Sequence, residues 1–215
     1  MGAMSDAAAR VPLPGPLVDA KAIVLLSSCR LDDVIAPVEV LLQEGLSVIS
    51  LSPTGPLTPT MLRTIFGRRL TVGVHDLRSV ADAQWSVEQD AAFALTMGLP
   101  QAGAVLRAAG LPELPAALTP REVDAAWSTG AAGVQVVPAN AFGNAYAAQL
   151  SALVPEPKLV VRGAEASHEV KAWLGAGAVA ACFAEKLLGD SLRRGNLSSL
   201  RTRVRASLEV LRSSR

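Results

Sequence analysis

Eight short apolar runs recur along the chain, one about every 20 to 25 residues, and between them lie stretches whose apolar positions repeat with helical period. The runs are Ala22–Ser27, Ser47–Ser52, Leu70–His75, Ala92–Thr96, Glu113–Ala117, Gly133–Val137, Lys158–Arg162 and Ala178–Cys182. Most are apolar at successive positions rather than at alternate ones, as expected of strands buried on both faces of a parallel sheet. The intervening segments carry helix signals. Leu31-Asp32-Asp33 opens a periodic stretch that runs to Glu44 and stops at Gly45. Thr119-Pro120-Arg121-Glu122 places a cap, a first-turn proline and a first-turn acid in register. Pro59 fits a first turn, and Gly130 and Gly175 fall where helices should end.

This alternation predicts an α/β fold, a single closed (β/α)8 barrel of the TIM type. An open doubly wound sheet shares the alternation, but eight units at even spacing favour closure. After the eighth run, Leu197, Leu200, Val204, Leu208 and Leu211 form one apolar stripe, which predicts a C-terminal amphipathic helix packed on the barrel. The expected boundaries are a loose Ala- and Pro-rich leader over residues 1–16 and a barrel domain over 17–213. Residues 1–4, Met-Gly-Ala-Met, read as an expression scar.

Composition and charge narrow the function classes. The 215 residues suffice for one sizeable core, and 20 basic against 19 acidic side chains leave a formal net charge of +1. No large field of one sign follows, so neither nucleic acid nor an anionic membrane is an expected partner. The basic stretch from Arg193 to Arg215 reads as a solvated helix face. No apolar run reaches the roughly 18 to 20 residues of a membrane span, and the start lacks the form of a secretion signal. Cys29 and Cys182 are too far apart to suggest a zinc site and read as buried free thiols, which makes the cytoplasm the expected compartment. No metal or cofactor is expected.

In such a barrel the working groups stand at the C-terminal ends of the strands and in the loops that follow. That rule selects Ser50, Ser52, Thr54, His75, Asp76, Thr96, Gln135, Arg162 and Gly163, a polar set without a lysine or paired carboxylates. His75-Asp76 is the one adjacent titratable pair, able to move protons; the alternatives are a strand-end hydrogen bond for His75 and a helix cap near Ser79 for Asp76. Arg162 can hold a carboxylate or phosphate through its fork of donors, or close an internal ion pair.

Three segments carry a resemblance. Gly133-Val-Gln-Val-Val-Pro-Ala139 resembles the Lys-Phe-Phe-Pro-Ala strand of the 2-keto-3-deoxy-6-phosphogluconate (KDPG) and 4-hydroxy-2-oxoglutarate (KHG) aldolases, and Leu70-Thr-Val-Gly-Val-His-Asp76 resembles their Val-Gly-Ala-Gly-Thr strand. Leu187-Leu-Gly-Asp-Ser-Leu-Arg-Arg-Gly195 resembles the segment after their eighth strand. The resemblance spans about Pro16 to Asn196 and implies a barrel of the usual trimeric class I aldolases, in which a lysine amine forms a Schiff base with the substrate ketone.

Residue by residue, that chemistry is not carried over. Gln135 stands at the lysine position, and an amide nitrogen is not nucleophilic because its lone pair is delocalised. Ser50 stands for the general-base glutamate and Thr54 for the carboxylate-binding arginine. The two small-residue phosphate loops align with Gly163-Ala164, partly kept, and with Cys182-Phe183-Ala184, where Phe183 is expected to obstruct a phosphate. Lys21 and Lys158 fall at the opposite, N-terminal ends of their strands and Lys171 on an outer helix; Lys186 alone is on the correct side, so a replacement amine is not expected. The expectation is an aldolase-like barrel without Schiff-base activity that binds a small anionic keto acid or sugar acid. The alternative is a lyase releasing pyruvate by relocated acid/base chemistry at His75 and Asp76. A barrel resembling thiamine phosphate synthase is a third reading, disfavoured by the obstructed phosphate loop.

Overall fold

Apolar runs and helical stretches alternate from end to end in the computed structural model, which describes residues 10–214. The expected expression scar, residues 1–4, lies outside the described residues. The strands are β1 (Ala22–Leu26), β2 (Val48–Leu51), β3 (Thr71–Leu77), β4 (Ala94–Thr96), β5 (Glu113–Ala117), β6 (Val134–Val136), β7 (Leu159–Val161) and β8 (Ala180–Phe183). All pair in parallel in chain order, and β8 returns to β1, so the sheet closes into a barrel. The helices are α1 (Gly15–Ala20), α2 (Leu31–Glu44), α3 (Pro59–Phe66), α4 (Val80–Glu88), α5 (Pro100–Ala108), α6 (Pro120–Ser128), α7 (Ala145–Leu153), α8 (Ser167–Gly175), α9 (Glu185–Leu188) and α10 (Leu197–Ser213). The protein is a single (β/α)8 TIM barrel with a C-terminal helix.

Local signals explain the helix borders. Gly45 ends α2 in the left-handed conformation at φ 102°, which an L side chain would resist. Thr119 and Glu122 form a reciprocal capping box at the start of α6, and Ser79 and Asp82 do the same for α4. That second box corrects one reading: Asp82, not Asp76, caps α4, which leaves Asp76 available elsewhere.

Strand alternation sorts side chains into two cores. Ile23, Leu25, Val48, Phe93, Leu95, Leu114 and Val160 fill the barrel interior, while Val24, Ile49, Val134, Val136 and Val161 face the helices. Gly73 is required inside. A Cβ there would stand 2.3 Å from the Phe93 ring, which occupies the space that a β3 side chain would otherwise fill.

The leader expected to be loose through Pro16 is in part built into the fold. Leu13 and Leu17 are buried in the interior cluster, so α1 closes the N-terminal end of the barrel. At the other end of the chain, α10 lies against α2, α8 and α9. Its Arg203 donates to the carbonyls of Leu187 and Leu188 at 2.6 and 2.8 Å, and Arg205 holds Glu44 through two bonds. Arg203 is thereby tied to internal carbonyls, while Arg193, Arg194, Arg205 and Arg212 remain exposed on the expected solvated face.

Candidate functional site

The C-terminal mouth of the barrel holds a cavity of about 720 Å³, placed over β1 to β3 on one side and β7 to β8 on the other. Its floor and walls are positioned by strand parity and by one irregularity. Ordinary alternation would send His75 inward and Asp76 outward. Instead the β3–β4 register shifts between His75 and Leu77, and Asp76 takes a left-handed φ of 61°. The extra residue lets His75 and Asp76 both line the mouth while Leu77 returns to the outer core. Aspartate accepts this conformation more readily than most residues, so the strain is modest.

Asp76 uses its position to meet Arg162, which projects inward from the end of β7. The guanidinium donates two hydrogen bonds to the carboxylate, at 2.6 and 3.1 Å. Burial pushes the Asp76 carboxyl up, but the bonds and charge of Arg162 outweigh it and hold the group below the usual carboxylate range. Both members are charged, and both remain in contact with the cavity.

His75 behaves differently. Its Nδ1 shares a hydrogen bond with Ser50 Oγ at 3.1 Å, and its Nε2 lies 4.0 Å from Asp76, too far for a bond. Burial lowers its pKa to about 4, against a smaller upward pull from Asp76, so the ring is neutral at pH 7. Serine, histidine and aspartate stand in sequence here without forming a nucleophilic triad. Ser50 is fully buried, and no substrate carbonyl can reach its oxygen.

Three sequence-expected residues are not in the cavity. Ser50 points inward but sits beneath His75. Thr96 points outward, where its hydroxyl donates to the buried Glu113 carboxylate at 3.1 Å. Gln135 does face the interior, as its position in β6 predicts, yet it is fully buried. Its Nε2 donates to the carbonyls of Thr96 and Leu114 at 2.8 and 3.3 Å, and its Oε1 has no hydrogen-bond partner. Ser52, Thr54, Arg162 and Gly163 do line the cavity, with Ser52 and Thr54 joined by their hydroxyls at 2.9 Å.

Glu165 and Glu185 line the cavity too, although the strand-end rule did not select them. Glu165 lies on the loop after β7 and accepts a hydrogen bond from the Ala184 amide, at 3.2 Å, at the start of α9. Phe183, expected to obstruct this loop, instead faces outward into the helix-side core. The Glu165 carboxylate is what covers the amide.

The lysines are where the sequence placed them. Lys21 and Lys158 precede β1 and β7 at the closed end, Lys171 is on α8, and Lys186 is exposed on α9 outside the cavity lining. Cys182 lies at the cavity floor, but burial pushes its thiol up to about 12, so it is no nucleophile. Cys29 is only half-buried. Among the described residues no group of three or more potential ligands could hold a metal ion, and no helix is long and apolar enough to cross a membrane.

Comparison with known proteins gives this barrel a family. The sequence profile for KDPG and KHG aldolase matches residues 16–202. The chain belongs to that aldolase family. Among solved structures, it is similar to a 4-hydroxy-2-oxoglutarate/KDPG aldolase described as from TTHB1, at 26% identity and a TM-score of 0.78, covering 91% of this chain and 96% of that one. It is also similar to the Legionella pneumophila KDPG aldolase with pyruvate captured as a covalent carbinolamine, at 18% identity and a TM-score of 0.79, with 89% and 96% covered. A third, the Zymomonas mobilis ATCC 29191 KDPG aldolase, is 14% identical with a TM-score of 0.77 over 90% and 94%. The last two likenesses concern the fold alone. Among curated proteins, none is similar enough to match.

Proposed function

We propose that this aldolase-family barrel binds a small carboxylate-bearing metabolite at its mouth and does not form a Schiff base with it. The observation that carries the reading is Gln135. The resemblance puts the imine-forming amine at this position of β6, and here an amide stands there, sealed from the cavity and tied to two backbone carbonyls. No lysine is in the cavity lining. The Legionella relative holds pyruvate covalently; the cavity lining here offers no amine to do likewise. The remaining polar groups suit recognition. Beyond its pair with Asp76, the Arg162 guanidinium has N–H groups left for a ligand carboxylate, and Ser52 and Thr54 add hydroxyls to the lining. A keto acid or sugar acid carries the carboxylate that this reading requires.

Relocated lyase chemistry has less support. A base with a pKa of about 4 is poorly matched to abstracting protons at neutral pH, and Asp76 is committed to Arg162. If His75 did carry turnover, His75→Ala would abolish pyruvate release from KDPG or KHG.

The test is direct. Borohydride is added with pyruvate, and the intact protein is weighed by mass spectrometry; no adduct is expected, and a stoichiometric one at any lysine overturns the reading. In parallel, keto acids and sugar acids are screened by thermal shift, where a bound ligand raises the melting temperature as its excess over Kd grows. We also propose a cytoplasmic location and, as the family resemblance implies, a homotrimer; light scattering on the purified protein checks the trimer.

A further inference from the structure

The charges that line the mouth narrow the ligand further. Asp76, Glu165 and Glu185 contribute three carboxylates, against the two guanidiniums of Arg162 and Arg193, while His75 is uncharged. A cavity built for a simple anion would present unpartnered donors. Here the exposed Arg193 guanidinium has no side-chain partner among the described residues, but the other two donor sets already hold a carboxylate. The Arg162 fork is taken up by Asp76 in a two-bond ion pair, and the Ala184 amide is taken up by Glu165. An incoming anion that uses either of these sets must displace a resident carboxylate or lie beside it, and like charges in a partly enclosed cavity repel.

We infer that the ligand is a zwitterionic amino acid, whose ammonium engages the Asp76 and Glu165 carboxylates while its carboxylate reaches the outer edge of the Arg162 guanidinium. The ion pair and the ligand then form an alternating square of charges. Asp76 keeps part of its bond to Arg162, and each charge of the square has an opposite neighbour. The same arrangement disfavours a keto acid of equal size, because a ketone oxygen brings no donor to the carboxylates. It disfavours phosphorylated ligands as well, since their extra charge meets Glu165 at the amide. Ser52 and Thr54 stand across the cavity as partners for a polar side chain, and a volume of about 720 Å³ leaves room for one.

This inference rests on the reading of the mouth as a metabolite-binding site, and matched pairs separate the two. Isothermal titration at pH 7 is run with L-alanine and pyruvate, L-serine and hydroxypyruvate, and L-glutamine and 2-oxoglutaramate. The expected result is that within at least one pair the amino acid binds tenfold or more tightly than its keto acid. If every keto acid that binds does so as well as its amino acid or better, the inference is overturned and the binding site stands. If no member of any pair binds, both are overturned. The Asp76→Asn variant removes one carboxylate and frees Arg162, so it should reduce the preference for the amino acid at least tenfold. Its ligand-free melting curve shows whether it is folded, and a folded variant with unchanged preference also overturns the role given to Asp76.

Discussion

Gly103 of α5 occupies a position where only the carboxylate of Glu113 on β5 fits: a Cβ there would lie 2.2 Å from Glu113 Oε1. Glu113 is 3% exposed, faces the helix layer, and is held by Arg107 from the same helix and by Thr96 from β4. Burial pushes its carboxyl above the usual range, with Arg107 pulling back. A glycine inside a helix costs about 1 kcal/mol relative to alanine, so an alanine would ordinarily stabilise α5. Here the clash is with a carboxylate fixed by two partners, which cannot swing away freely. Overpacking a core costs roughly 1–3 kcal/mol, and that term should win. Gly103→Ala is expected to lower stability by about 1–2 kcal/mol, read as a lower urea midpoint at unchanged slope. A raised midpoint would show that the carboxylate relocates at little cost.

Acid should weaken the fold through His75. The folded ring has a pKa of about 4, against 6.5 for an unperturbed histidine. Between those values the unfolded chain binds a proton that the folded chain does not, so stability is present above pH 6.5 and is lost as pH falls toward 4. The full difference is worth roughly 3 kcal/mol. His75→Gln carries no such proton. Urea midpoints measured from pH 7 to pH 4 should therefore fall more steeply for the native protein than for the variant. Parallel profiles would mean that the folded ring titrates normally. The depressed Asp76 carboxyl acts in a lower window, as pH falls below its ordinary range, and does not imitate the effect.

The barrel was legible because its strands are apolar at successive positions and its helices carry capping residues. Thr119 with Pro120 and Glu122, and Gly45 after Glu44, mark borders that local chemistry alone determines. The site was less legible because parity and register decide which way a side chain points. Thr96 and Gln135 were assigned to the mouth from their place at strand ends, yet one faces the helices and the other turns to backbone carbonyls. A three-residue strand leaves the parity of its last residue easy to misassign. Asp76 entered the mouth through a register shift that no residue type announces. Glu165 was missed because a loop glutamate resembles any solvated acid until its carboxylate is seen on the Ala184 amide.

Replacing Arg162 should affect the ion pair on both sides. Arg162→Gln leaves the half-buried Asp76 carboxylate without its cation, so the carboxyl pKa should rise from its depressed value toward or above the ordinary one. Carbon-detected NMR titration of the Asp76 carboxyl, compared between the two proteins, measures this. Ligand affinity should fall tenfold or more with it, since the carboxylate anchor is gone. An unchanged Asp76 titration would mean that solvent, rather than Arg162, sets its charge.

Restoring an amine to β6 should not restore an aldolase. Gln135→Lys places an ammonium at a fully buried position and gives up two hydrogen bonds to the Thr96 and Leu114 carbonyls. Burying the charge is expected to cost about 3 kcal/mol at pH 7. The folded state favours the neutral amine, so its pKa falls below that of the unfolded chain and the stability deficit shrinks as pH rises toward 10. Ser50, which stands where the resemblance puts the general base, is buried beneath His75 and supplies no carboxylate. Pyruvate release from KDPG should stay at background in the variant at both pH 7 and pH 9. Turnover in Gln135→Lys would show that the mouth still supplies a working base and that the amine is the one group the natural chain lacks.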